Sequence, residues 1–462
     1  VEARIPLLAT GVSLAVDPGP AARGESAPIA LTVEGGYTPS EQALLYARPG
    51  GATAYEAVSL RLVDGTGPPR LEAQVPASLV TPRGLDYYVV LSNGPDTLTA
   101  PAGGPPRAAA QPFHLPVSFE DLTAPVSFAP QSYRMVSVPA LVDDGVVGAL
   151  EAAYGEYDRA SWRLLRWNEA AGTYQEPPQL DSLAPGMGAW LITDADDGFS
   201  LNGETVDASL PRSIVLEPGW NQVGTPFGFA VPWADVRTTS GRRVDPPVTY
   251  QNGTYQYGVS TLEPWNGYFV FNAASARDTL IVPPTGAPDT EATSVRPAAL
   301  AKYDDGRTAS AGDDPPYTVQ VTAHSGGTGQ PVWLGLRPDA TADRDALDFA
   351  QAPPIDRRVR LSLLEPVDGR PVPHAGSFKP PTGNGQSWTL QVSHRPGDGA
   401  DRTVQLQLDE RGSLPDGYGQ YLLDLKAERR MVPGQELSLA PGARRSLKLI
   451  VGTEAYAEQE SG

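Results

Sequence analysis

Proline is spread along the whole chain, 48 times in 462 residues, and is matched by 48 glycines. A proline inside a helix removes a hydrogen bond and its ring clashes with the preceding turn. At this density helical periodicity is broken almost everywhere, which excludes a long helical bundle and leaves short strands joined by many turns. Hydrophobic residues make up 40% of the chain, enough for sizeable cores. At about 100–200 residues per domain the length predicts two to four domains.

The apolar residues then set the strand pattern. In the first segment Ile29, Leu31 and Val33 alternate with polar neighbours, as do Leu60 with Leu62 and Leu71, Ala73 and Val75. Such alternation buries one face of a strand and wets the other. Turn signals separate the runs at Gly50-Gly51, Asp64-Gly65 and Asn93-Gly94. The pattern predicts an antiparallel sandwich over residues 1–116, with Ala102-Gly103-Gly104-Pro105-Pro106 as a linker near its end. The stretch Arg83 to Val90, followed by Asn93-Gly94 and Thr97 to Pro101, resembles the late hairpin of fibronectin type III and immunoglobulin-like modules of bacterial surface proteins.

Residues 117–295 contain an internal repeat, with copies at about 128–210 and 211–285. Gly172-Thr173-Tyr174-Gln175 returns as Gly253-Thr254-Tyr255-Gln256. Leu183-Ala184-Pro185-Gly186-Met187-Gly188 returns as Leu262-Glu263-Pro264-Trp265-Asn266-Gly267, each time just before an aromatic strand containing Trp190 or Tyr268. Neither copy is long enough to bury a core comfortably alone, so the two are expected to pack as a pseudo-symmetric pair. One short helix is expected from Asp144 as N-cap through Tyr154, with a counterpart in Pro232–Val236. These motifs resemble repeats of long secreted proteins of the Bacteroidetes, which commonly lie C-terminal to peptidase or adhesin domains.

Residues 296–462 alternate again, at Tyr317/Val319/Val321, Trp388/Leu390/Val392, Val404/Leu406/Leu408 and Leu447/Leu449/Val451, which predicts another β-sandwich. The order Leu334 to Thr341, Ser387 to Val392, Leu414-Pro415-Asp416-Gly417 and Arg444 to Gly452 resembles the domain that precedes the sorting domain in type IX secretion cargo. That resemblance implies export to the cell surface. The expected sorting domain does not follow, and the chain begins at Val1 without a signal peptide, so it reads as a processed or excised portion of something longer. The fold expectation is therefore all-β: tandem antiparallel sandwiches, the middle one an internal repeat, with at most one short helix.

Chemistry is sparse by the same reading. Fifty-four acidic against 35 basic residues give a net charge of −19, a surface that repels phosphate backbones and anionic lipid and so excludes nucleic-acid partners. No run approaches the length of a membrane-spanning helix, and no membrane insertion is expected. There is no cysteine, hence no disulfide, thiolate site or Cys nucleophile. His114, His324, His374 and His394 show no metal-ligand spacing, and their turn-rich or exposed-strand contexts predict surface or hydrogen-bonding histidines. No nucleophile elbow or phosphate loop is present, although spacing alone leaves a triad assembled in space open. No catalytic or cofactor-binding residue is assigned.

Two binding chemistries remain. Asp194, Asp196 and Asp197, and Asp304 with Asp305, place carboxylates on turns as calcium loops do. Calcium takes about six to eight oxygens, and the opposing reading is a set of solvated turns. Asp343, Asp345 and Asp348 form a further acidic cluster. Six of the eight tryptophans, at 162, 167, 190, 220, 233 and 265, lie in the repeat, where they serve either as core or as a glycan-stacking platform. Trp265, in a turn, is expected to be the exposed one. The function expected is a non-catalytic extracellular structural or adhesive segment at the cell surface, with protein partners or copies of itself. The segment Ala3 to Leu8 is a candidate strand to lend to a neighbour. The alternatives are the accessory region of a secreted hydrolase with its catalytic domain upstream, and a glycan-binding module.

Overall fold

The computed structural model describes residues 3–6, 13–34, 42–63, 68–93, 96–125, 130–195, 198–251, 253–286, 317–324, 329, 331–345, 347–355, 359–367, 369–394, 403–432, 436–440 and 442–461. They form an all-β protein of antiparallel sheets with a single parallel strand pair, Pro331–Leu336 beside Arg370–Lys379. The chain divides into two compact units, Val1–Tyr250 with Val259–Thr293, and Gln251–Gly258 with Ser294–Gly462.

In the first unit, residues 3–115 make two sheets. One runs Ala3–Pro6, Ser13–Pro18, Ala27–Glu34, Arg70–Val75, Arg61–Val63 in spatial order, and the other runs Phe113–Leu115, Leu85–Asn93, Gln42–Pro49, Glu56–Ser59. Ile29, Leu31, Val33, Leu71, Ala73 and Val75 all point into the core between the sheets, as the period-two reading requires. Leu60 and Leu62 do not behave as one face. Leu60 is buried while Leu62 is 61% exposed, because the chain changes sheet at Leu60, between Glu56–Ser59 and Arg61–Val63. The candidate lending strand is also accounted for within the chain, since Ala3–Pro6 pairs with Ser13–Val16; Leu7 and Leu8 lie outside the described residues. The resemblance-bearing hairpin forms, with Val89 opposite Ala100 and Asn93 opposite Asp96.

The expected single helix of the repeat forms, and two further short helices lie outside the repeat. Gly145–Tyr154 is helical, and so are Pro105–Ala110 and Glu454–Gln459. The proline pair taken as linker starts Pro105–Ala110, since proline at the first helical positions gives up only a donor that has no partner there. The C-terminal helix is capped by Thr453 Oγ1, which accepts from the Tyr456 amide at 3.3 Å. Asp144 stands at the N-cap of the middle helix but makes no side-chain capping bond. The second copy has only a 3₁₀ turn, Trp233–Asp235, in its counterpart segment.

The two copies interlock about a pseudo-twofold. In copy one the strand Arg134–Ser137 pairs with Gly188–Thr193, and in copy two Gly219–Val223 pairs with Tyr268–Asn272. Each copy's Leu-x-Pro-x-x-Gly turn docks on the other copy's strand. Val136 bridges Asn266, and Val223 bridges Met187. The Ser137 amide donates to the Trp265 carbonyl at 3.1 Å, and the Gly224 amide to the Gly186 carbonyl at 3.0 Å. These contacts exchange under the repeat equivalence, and so do the backbone angles: Gly186 and Trp265 occupy the same turn position with φ of 89° and 68°. The register also matches Trp190 to Phe269 rather than to Tyr268, since Leu165 bridges Trp190 as Val248 bridges Phe269. Those two rings lie 6.2 Å apart, flanked edge-on by Tyr133 and Trp220.

The motif glycines follow from this docking. A Cβ on Gly188 would stand 2.6 Å from the Val223 carbonyl oxygen, and one on Gly267 2.7 Å from that of Val136. Backbone cannot yield as a side chain does, so any larger residue pushes the copies apart. Behind this core each copy carries a three-stranded sheet of the same order. Ser200–Thr205 lies between Ser118–Thr123 and Ala140–Val142; Asp278–Val282 lies between Arg212–Leu216 and Arg237–Thr238.

In the second unit one hydrogen-bonded succession of strands, from Arg429–Met431 at one end to Glu436–Ser438 at the other, encloses a large core, with a smaller cluster of Leu423, Ile450 and Ala457 beside it. Residues from both ends meet in the large core, among them Met431, Leu437, Val404 and Trp388, so the succession folds over on itself as a sandwich. Tyr257 belongs to this unit and packs against Phe349 and Trp333, with ring centroids 4.9 and 6.4 Å away.

Gly267→Ala is expected to destabilise the first unit by about 1–3 kcal/mol through overpacking, and Tyr257→Ala the second by about 3–5 kcal/mol through cavity formation. Differential scanning calorimetry reads both as lowered transitions.

Candidate functional site

Four polar groupings stand out. In the first sandwich His114 Nδ1 meets Asp86 Oδ1 at 2.8 Å, and Arg48 Nε donates to Asp86 Oδ2 at 3.2 Å. The Arg48 guanidinium lies 4.2 Å over the Tyr55 ring, and the Tyr55 hydroxyl donates to the Ala109 carbonyl at 2.9 Å. The imidazole occupies the space that Gly84 leaves by lacking a Cβ. An ionised Asp86 accepts only, so Nδ1 carries the proton. His114 Nε2 is buried with no hydrogen-bond partner; the nearby Thr205 hydroxyl oxygen is engaged by the Val117 amide at 2.9 Å. The arrangement orients an imidazole and ties the helix Pro105–Ala110 to the sheet.

In copy one Glu176 is buried against Arg163, which donates through Nε and Nη2 at 3.0 and 2.8 Å, and against the Tyr157 hydroxyl. Burial alone raises its carboxyl, but the hydrogen bonds from Arg163 and Tyr157, with the charges of Arg163 and Arg159, outweigh that and hold it below the usual range. The third grouping is in the second unit. Asp348 Oδ1 accepts from the Phe378 amide at 2.8 Å and Oδ2 from the Asp345 amide at 3.1 Å. Asp345 in turn accepts from the Thr341 and Leu347 amides, both at 2.7 Å. The cluster is a hydrogen-bonded turn, and burial pushes the Asp348 carboxyl up to about 6 against those two bonds.

The fourth is a groove of about 750 Å³ in the first unit. Its walls are Ala22–Glu25 of the first sandwich and the three-stranded sheet of copy one, and Glu25, Glu120, Asp143 and Glu204 line it, with Arg23 as its single cation. Glu204 sits mid-sheet, directly between Ser118 and Leu141. Leu141, 47% exposed, gives the groove an apolar patch beside the carboxylates.

No family model, curated protein or solved structure matches this chain. The residues themselves carry the assignment.

The sequence-derived candidates are scattered. Asp194 is exposed at the end of the strand Gly188–Thr193, its amide donating to the Ser161 carbonyl at 2.9 Å. Asp196, Asp197, Asp304 and Asp305 lie outside the described residues. Among the described residues no group of three acidic or histidine side chains is spaced to hold a metal ion. Trp265 is not exposed as expected. It is only 9% accessible and packs into the core of copy one, because its turn is the one that docks across the pseudo-twofold. That indole is not presented to a sugar. Of the two readings of the histidines, the hydrogen-bonding one fits His114 and His374, which meet Asp86 and the Val372 carbonyl; His374, His394 and the His114 side chain are all buried. The groove itself was not foreseen. The sequence signal for it is the crowding of carboxylates in copy one.

Because Asp348 titrates higher when folded than in an unfolded chain, the folded state binds the extra proton between about pH 4 and 6. Its contribution to the second unit's stability is therefore greatest below about pH 4 and is lost as pH rises through about 6. Asp348→Asn is expected to flatten that part of the stability-against-pH curve in chemical denaturation. Glu176→Gln breaks a buried charge pair and is expected to cost about 3–5 kcal/mol, read as a lower denaturation midpoint.

Proposed function

We propose that this chain is a non-catalytic, extracellular structural or adhesive segment displayed at a bacterial surface, exported by the type IX route its C-terminal sequence resembles. The observation that supports this most is how the reactive side chains are used. His114, Asp86, Glu176 and Arg163 are committed to internal pairs, while a groove of the first unit is rimmed by exposed carboxylates on a sheet. A groove of that kind suits recognition of a cationic protein surface. The interlocked repeat fits a load-bearing role, because neither copy closes its core without the other. Its partners on this reading are surface proteins or further copies of the chain.

Antibody raised against the purified chain is expected to label intact cells. In-frame deletion of the segment is expected to lower cell adhesion several-fold and leave secreted hydrolase activity unchanged. Labelling only after lysis would overturn the surface reading. Loss of hydrolysis with adhesion intact would favour the accessory region of an upstream hydrolase.

A further inference from the structure

The two repeat copies share a sheet order but present opposite chemistry on it. Copy one carries fourteen acidic and four basic residues over 117–205, whereas copy two carries six and five over 206–286. Across the outward face of the copy-one sheet the residues in register are Ser118, Glu204 and Leu141. Across the copy-two sheet they are Ser213, Ile281 and Arg237. The edges differ too. The copy-one edge strand is bridged by the first sandwich: the Ser118 amide donates to the Ala21 carbonyl at 2.9 Å and the Arg23 amide to the Ser118 carbonyl at 2.8 Å. The equivalent copy-two edge, Arg212–Leu216, has no outer strand among the described residues.

That open edge is short and carries an arginine, as solvent-facing edges usually do, but it also exposes apolar side chains. Leu210 and Val215 are 70% and 59% exposed, and Arg212 stands between them, held to the strand by bonds to the Asp207 carbonyl. An apolar strand with an exposed arginine is the complement of a groove that offers Leu141 and four carboxylates.

We infer that the acidic groove of one copy of this chain receives the Arg212–Leu216 edge of a second copy. Arg212 enters the carboxylate rim beside Glu120 and Glu204, and Leu210 and Val215 cover Leu141. Groove and edge are different surfaces of the same unit, so the contact is heterologous, and each added chain leaves a free groove at one end and a free edge at the other. Such a contact extends into an open filament unless its rotation closes a ring. This inference rests on the structural reading above and gives that reading a mode of assembly.

The test uses the whole chain and two doubly substituted forms, all changes at exposed positions. Glu120→Arg with Glu204→Arg reverses the groove; Arg212→Glu with Val215→Asp reverses the edge. Circular dichroism and melting temperature confirm that both remain folded. In sedimentation velocity the unsubstituted chain is expected to gain mass with concentration and to lose it in high salt, where exposed charges are screened. Each variant alone is expected to stay monomeric. Their equimolar mixture is expected to regain mass, because an intact groove meets an intact edge and the reversed groove complements the reversed edge. A chain that is monomeric at every concentration overturns the inference, as does assembly that both variants retain. Dimers of the groove-reversed form alone would overturn it in favour of edge-to-edge pairing. None of these failures touches the surface-labelling result, so the two readings fall separately.

Discussion

The first unit depends on a reciprocal exchange: each Leu-x-Pro-x-x-Gly turn sits on the other copy's strand. A half-domain of about eighty residues buries a modest share of its surface, and here copy two lends Trp265 to the core of copy one. The exchange is made through backbone, in the paired bonds from Ser137 to Trp265 and from Gly224 to Gly186. Backbone contacts hold the two copies at a fixed separation, and the Trp190–Phe269 stack fills what lies between. Trp265 shows how strongly this geometry is imposed, since a bulky aromatic residue accepts a left-handed backbone there.

Electrostatics follow a similar economy. In a chain of net charge −19, arginines are the scarce partners, and several are placed against buried carboxylates: Arg48 on Asp86, Arg163 on Glu176, Arg445 on Asp424. Each pair leaves little residual charge inside, so the negative charge accumulates outside. The uneven share of it between the two copies is what makes their otherwise similar sheets into different surfaces.

Much of this was legible in the residues. Alternation placed Ile29, Leu31 and Val33 and Tyr317, Val319 and Val321 correctly because a half-buried strand leaves no other arrangement. The repeat was visible because docking on backbone forces Gly188 and Gly267 to be glycine. What escaped the sequence depends on neighbours distant along the chain. Leu62 is exposed because the chain changes sheets beside it, and Trp265 is buried because a turn that looks solvated by composition meets a strand some 130 residues earlier. His114 reads as a surface histidine until Gly84 and Asp86 are seen to make its pocket. The groove joins residues from four separate stretches, and no local spacing announces it.

At the centre of the pseudo-twofold the two copies are obliged to differ. Ser137 and Gly224 face one another there, and a side chain on Gly224 would collide with the serine, whose hydroxyl is spent on the Asn266 carbonyl at 2.9 Å. Two serines would not fit, and two glycines would forfeit that bond. A dimer of identical half-chains would carry the same residue at both positions. One chain holding both copies is free of that requirement, and neither half made as a separate chain would pair with itself in this form.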